Sequence, residues 1–169
     1  MFQELLNLKR LTYPNGFLTF NLYGKASKCQ FVWNQTIELN DFRISKEMKK
    51  KIPEDLLLFY LHVANGAKIF YEPEFGQWGY EIYSLEDLQN QQYSWEESFG
   101  LSNNNGYLFF CELYGEASSL AYDLSLKKPV IFDASECNTP DDWLHVADSL
   151  DQWLINLILH NGEKYWEEF

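Results

Sequence analysis

Three histidines and three cysteines are the side chains best suited to nucleophilic or metal chemistry in this sequence, and their placement supports neither. A catalytic nucleophile needs a base beside it and a group that orients the base. His62 lies inside an apolar run and reads as a packed or edge histidine. His145 sits among Trp143, Leu144 and Val146, and His160 falls at the end of an amphipathic segment, where a cation suits the helix dipole. No Ser or Cys stands in a recognisable catalytic setting, and the Gly-x-Ser-x-Gly elbow is absent. Zinc ligands cluster at short spacings, whereas Cys29, Cys111, Cys137 and the histidines are scattered singly. Asp123, Asp133, Asp141 and Asp142 lack the loop pattern of a calcium hand. The glycines at 76, 79, 100, 106 and 115 are not grouped to cradle a phosphate. Carboxylates are so abundant that any pair chosen for glycoside chemistry is uninformative. The expectation is a protein that is not an enzyme and uses no metal or cofactor.

Binding needs only a surface, and here the sequence is more specific. Residues 1–68 hold 10 Lys/Arg and 6 Asp/Glu, whereas residues 69–169 hold 3 and 19, balances of +4 and −16. No Lys or Arg occurs from Ile69 to Leu126. Such a field repels nucleic acid and anionic membrane and speeds encounter with a basic partner. Within it, Glu72, Glu74 and Glu81 surround Phe75 and Trp78, Trp95 precedes Glu96 and Glu97, and Glu112 and Glu116 flank a turn at Gly115. Rings supply buried area at an interface and acids steer the approach, so these ten residues form the candidate partner-binding set. The competing reading is a solvated acidic surface, with Phe75 and Trp78 closing over a sheet edge. The run Lys49-Lys50-Lys51 reads as solvated.

The element that must position these residues is Ile52–Gly66. Pro53 marks a helix start, Glu54 and Asp55 suit the first turn, and Asn65-Gly66 marks the stop. Leu56–Leu61, Val63 and Ala64 make the segment apolar on nearly every face, as expected of a central core helix. After it come Gly79-Tyr80-Glu81-Ile82-Tyr83-Ser84-Leu85-Glu86-Asp87-Leu88, a hydrophobic strand, the Gly115 turn, Tyr122-Asp123-Leu124-Ser125, Pro129-Val130 and Val146-Ala147-Asp148-Ser149-Leu150. In that order and spacing the pieces resemble the SUKH superfamily, which includes the fungal cell-wall-synthesis regulators. The resemblance covers about 44–162. It implies an α+β fold and a bacterial immunity protein that binds and neutralises a cognate protein toxin, often a nuclease or deaminase. An intracellular regulatory or scaffold module is the alternative it leaves open.

Taken in order, Met1–Arg10 carries a weak helical pattern that suits a strand equally well. Phe17–Tyr23 and Cys29–Trp33 alternate around Gly24 as a hairpin extension spanning residues 1–43, and Thr36–Leu39 offers a further short β run. Ser45 caps a short basic helix, and Ser84 starts a helix expected to end near Gln92, with Tyr93–Asn105 a polar segment anchored by Trp95 and Phe99. Strands follow at Ala67–Glu72, Gly79–Tyr83, Tyr107–Leu113, Ser118–Leu124 and Pro129–Phe132, with connections too short for parallel crossovers. Glu136–Asp142 reads as a loop, and Asp148 or Ser149 caps a last helix with a stripe at Leu150, Trp153, Leu154, Leu157 and Ile158. The expected architecture is one α+β domain over 1–169, a twisted mainly antiparallel sheet flanked by helices. The absence of a bilayer-length apolar run or a signal-like start, and the odd, separated cysteines, point to a cytoplasmic protein, expected as a monomer.

Overall fold

Turns placed every few residues between alternating segments leave the chain one economical option, a meander, and that is what forms. A computed structural model describes residues 2–38, 44–101, 106–135 and 138–167. Among these described residues eight strands pair in sequence order, every neighbouring pair antiparallel: β1 Phe17–Leu22, β2 Lys25–Trp33, β3 Ala67–Tyr71, β4 Tyr80–Ile82, β5 Tyr107–Leu113, β6 Ser118–Asp123, β7 Val130–Ser135 and β8 Leu144–Ala147. Register shifts at Gln30/Val32, Phe109/Cys111 and Ile131/Phe132 mark bulges, which bend the strands and add twist. The helices are α1 Gln3–Thr12, α2 Lys46–Lys51, α3 Glu54–His62, α4 Leu85–Ser98 and α5 Leu150–Leu159.

Strand alternation divides the sheet into two faces. Leu120, Tyr122, Cys111 and Ile131 point to the main core, where they meet Leu5 and Leu8 of α1, Leu56 and Phe59 of α3, and Trp153, Leu154 and Leu157 of α5. Phe109, Ala121 and Ala134 point the other way and form a second cluster with Trp143, covered by Trp95 and Phe99 of α4. Full burial of one such ring contributes roughly 2–3 kcal/mol, and the stacked series Trp95–Phe99–Phe109, with centroids 5.4–6.3 Å apart, adds pair geometry to area.

Two side chains tie the helix ends together. Asp55, in the first turn of α3, accepts from the N–H of Leu56 (2.9 Å), the hydroxyl of Tyr122 on β6 (3.2 Å) and the N–H of Leu150 at the start of α5 (2.7 Å). One carboxylate thus serves the positive ends of two helices, where backbone donors lack intrahelical partners. Burial, then the Asp55 charge, push the Tyr122 phenol far above its ordinary range, so it stays a donor. Asn65 plays the same part at the other end. Its Oδ1 accepts from the N–H of Leu85 at the start of α4 (2.8 Å), and its amide donates to Glu86 (2.8 Å). Gly66 (φ +89°) lies so close to Ser84 that a Cβ would stand 2.7 Å from its backbone nitrogen.

The Ser45, Ser84 and Ser149 caps are present, each accepting from the backbone three residues on. The N-terminal segment is helical from Gln3, since Phe2, Leu5 and Leu8 bury one face; Met1 lies outside the described residues. Four expectations shift. Pro53 stands one position outside α3 as its cap, and α3 ends at His62 while Val63 and Ala64 still bond to Phe59 carbonyl oxygen. α4 runs to Ser98 rather than Gln92, because Gln92 docks onto β5: its Oε1 accepts from the Phe109 N–H (2.9 Å) and its Nε2 donates to Tyr107 carbonyl (3.1 Å), serving backbone groups at the bulge. β8 forms where only loop and cap were expected. Residues 34–38 are not a strand, and Leu39 lies outside the described residues.

Asp55→Ala is expected to cost about 3 kcal/mol in urea unfolding, since it strands the Leu150 and Tyr122 donors. Tyr122→Phe, which removes one donor cleanly, is expected to cost about 1 kcal/mol. Equal effects of the two variants would mean that Asp55 does not join the helices.

Candidate partner-binding surface

The outward face of the sheet carries one row of directly opposed residues, Val32, Lys68, Glu81, Glu112, Ser119 and Ala134, running from β2 to β7. Aromatics of α4 cover the Ala134 end through the second cluster. The other end stays partly open: the side chains of Lys68 and Glu81 are 37% and 33% exposed. Lys68 Nζ lies 3.4 Å from Glu81, and 5.4 and 5.3 Å from the ring centres of Tyr71 and Tyr114. Those rings meet at 4.9 Å, and the Tyr114 hydroxyl donates to Glu81. One ammonium therefore sits beside two carboxylates directly opposite each other. Burial raises the Glu112 pKa, the Glu81 charge raises it further, and Lys68 only partly offsets them. Like charges in this register repel, and a cation arriving from outside relieves the repulsion.

The loop between β3 and β4 borders this patch. Glu72 accepts from the N–H groups of Glu74 and Phe75, which closes the loop and leaves Phe75 73% exposed at its tip. Gly115 (φ +80°) presses the β5–β6 turn onto that loop: a Cβ there would stand 2.4 Å from Gln77 carbonyl oxygen. Tyr114 N–H also donates to Gly79 carbonyl (3.0 Å). Glu72, Glu74, Phe75, Glu81, Glu112 and Glu116 therefore share one end of the sheet.

The remaining candidates go elsewhere. Trp78 turns inward and meets Tyr23 edge-on at 5.3 Å. Trp95 donates its indole N–H to Tyr83 (2.9 Å) within the aromatic stack. Glu96 is a correction: it is 3% exposed and accepts from Gln92 Nε2 (2.8 Å), because α4 continues through it and turns that side chain inward, so it offers no docking surface. Glu97 is exposed on α4, away from its sequence neighbour Glu96 in orientation if not in position. Sequence reasoning missed Lys68, Tyr71 and Tyr114. Each strand's alternation was visible, but the pairing register that brings them together was not.

It also missed Lys164. This ammonium, 6% exposed, bonds Glu116, Asp133 (3.3 Å) and Glu167 (3.0 Å), and the Trp166 indole donates to the same Asp133 oxygen (2.9 Å). Burial alone would lower the Lys164 pKa, but Asp133, Glu116 and Glu167 together hold it above its ordinary value.

Nothing in the described geometry builds a nucleophile. Cys29 and Cys111 are buried thiols, Cys29 pushed up by burial to about 11, which makes a weak thiolate former; Cys137 lies outside the described residues. His145 pairs with Asp148 (3.1 Å), and His160 lies 2.8 Å from Asn156 carbonyl. Among the described residues no group of three or more His, Cys, Asp or Glu is placed to hold a metal ion, and no helix is long and apolar enough to cross a membrane. An open hollow of about 670 Å³, lined by Leu6, Lys9, Arg10 and Tyr13, contains none of the candidate acids.

Among known proteins, the family described as the SMI1 / KNR4 family (SUKH-1) matches residues 42–156. No curated protein and no solved structure matches the chain.

The raised Glu112 pKa has a definite sign. The folded state holds that proton more tightly than the unfolded state, so ionised Glu112 costs stability near neutral pH. The cost vanishes as pH falls below the ordinary value of 4.5, where both states are protonated. Glu112→Gln is expected to stabilise the isolated protein by about 0.5 kcal/mol at neutral pH and by nothing in acid. Urea midpoints at the two pH values check this; a gain that persists in acid would assign the effect to packing.

Proposed function

The chain belongs to the SMI1 / KNR4 family (SUKH-1), a membership that implies a toxin-immunity or regulatory role, and from it we propose that the protein is an immunity protein. It holds a cognate toxin domain, a basic nuclease or deaminase, against the open half of the outward sheet face. Glu72, Glu74, Glu81, Glu112 and Glu116 steer the approach, and Phe75 supplies the ring that is buried on contact. The observation that carries this reading is the continuity of the Glu81–Glu112–Tyr114 patch with the Phe75 loop, in the half of the chain whose balance is −16. Glu97, Trp78 and Trp95 are not needed by it. The protein binds no nucleic acid itself, catalyses nothing and works by covering its partner. Two buried thiols suit a reducing compartment, the cytoplasm, where such a toxin would act.

The partner is to be sought in the reading frame beside the gene, as the C-terminal domain of a long secreted protein. With that domain in hand, the association rate is expected to fall at least roughly tenfold from low to high salt. Glu81→Lys combined with Glu112→Lys is expected to slow association by a similar factor, while Phe75→Ala accelerates dissociation roughly tenfold or more. Stopped-flow and surface-binding kinetics read both. A rate independent of salt and of the two reversals would remove the acidic face from the interface.

A further inference from the structure

The network around Lys164 keeps an excess of negative charge, and one buried oxygen in it has no partner among the described residues. An ammonium has three N–H donors, and Lys164 directs them to Glu116, Asp133 and Glu167, so it has none left. Three carboxylates against one ammonium leave a net charge of −2. Lys164 and the Trp166 indole both serve Asp133 Oδ2, while Oδ1 of the same carboxylate, on a residue 6% exposed, has no hydrogen-bond partner. Asp133, Glu116 and Glu167 line a cavity of about 240 Å³ together with Lys164 itself; Asn138, Ala117 and Leu144 are also in its wall, with Leu144 39% exposed.

We propose that this cavity receives one arginine side chain of the partner protein. A cation answers the charge, and a metal ion does not fit, since these acids are not gathered closely enough to hold one. The planar guanidinium carries five N–H donors in a fixed fork, which suits oxygens spread over three carboxylates better than a compact ammonium does. Its methylene stem lies along Ala117 and Leu144, as such stems do against apolar surface. Asp133 is opposed to Leu120 and so belongs to the core side of the sheet, and Glu116, in the β5–β6 turn, joins this pocket to the acidic end, so the arginine reaches round that end to anchor a partner already steered there. The inference rests on the reading of the chain as a toxin-binding protein, and it adds the residue type that the toxin must present.

The test uses the whole ¹⁵N-labelled protein and N-acetyl-arginine methylamide, with the citrulline and lysine counterparts as controls. The Trp166 indole and Asn138 side-chain amide resonances are expected to shift saturably with the arginine probe, and Glu167→Gln is expected to weaken its binding roughly tenfold. Glu167 is a rim carboxylate, 49% exposed, so the variant should fold. No shift, an equal response to citrulline, or an unaltered affinity in Glu167→Gln would overturn the pocket; equal binding of the lysine probe would overturn the guanidinium assignment. The function is tested separately. A salt-dependent complex that Glu167→Gln leaves unchanged removes the pocket and keeps the immunity reading, whereas arginine binding without any toxin complex does the reverse.

Discussion

One carboxylate, that of Asp55, sets the spatial relation among three elements distant in sequence. Two helices begin beside it, and both present donors that have no partner inside their own helix. Tyr122 adds the sheet to the junction. Each bond taken alone contributes on the order of 1 kcal/mol. Their joint effect is geometric, since α3 and α5 cannot slide past one another without leaving a buried donor unpaired. The main core then fills around a fixed frame, and the rings of Phe59, Tyr80, Phe110 and Trp153 pack at edge-on angles that demand such a frame.

The same frame explains why one sheet face is half closed. The α1, α3 and α5 helices pack on the core side, and the aromatics of α4 cover the outward side, where they reach only β5 to β7. What it does not reach is filled with Lys68, Glu81, Glu112, Tyr71 and Tyr114, residues that tolerate water. The place of the charged patch, where the proposed function puts the partner, thus follows from how far a single helix reaches.

Much of the fold was legible because its signals are local. Caps at Ser45, Ser84 and Ser149 and the alternation of β5 and β6 each depend on a few adjacent residues, and each is present. The end of α4 was not legible, because Gln92 and Glu96 look like surface residues until β5 is placed beside them. Four-residue β8 is too short for its alternation to register, and it exists because β7 offers it an edge. The acidic-aromatic set was partly legible for the same reason. Composition located the field, but only strand register could pair Glu81 with Glu112, and only the chain's return after α5 could bring Lys164 to Asp133.

The close approach of Gly115 to Gln77 limits which substitutions the two loops can accept. Two loops that touch backbone to backbone cannot lengthen or acquire bulk one at a time, because any side chain at the glycine would displace the neighbouring loop. Room for larger side chains is therefore confined to the tips, at residues such as Glu74 and Phe75, while the seam between the loops admits none. Substitution at the tips can then alter the surface without reopening the problem of how the chain folds.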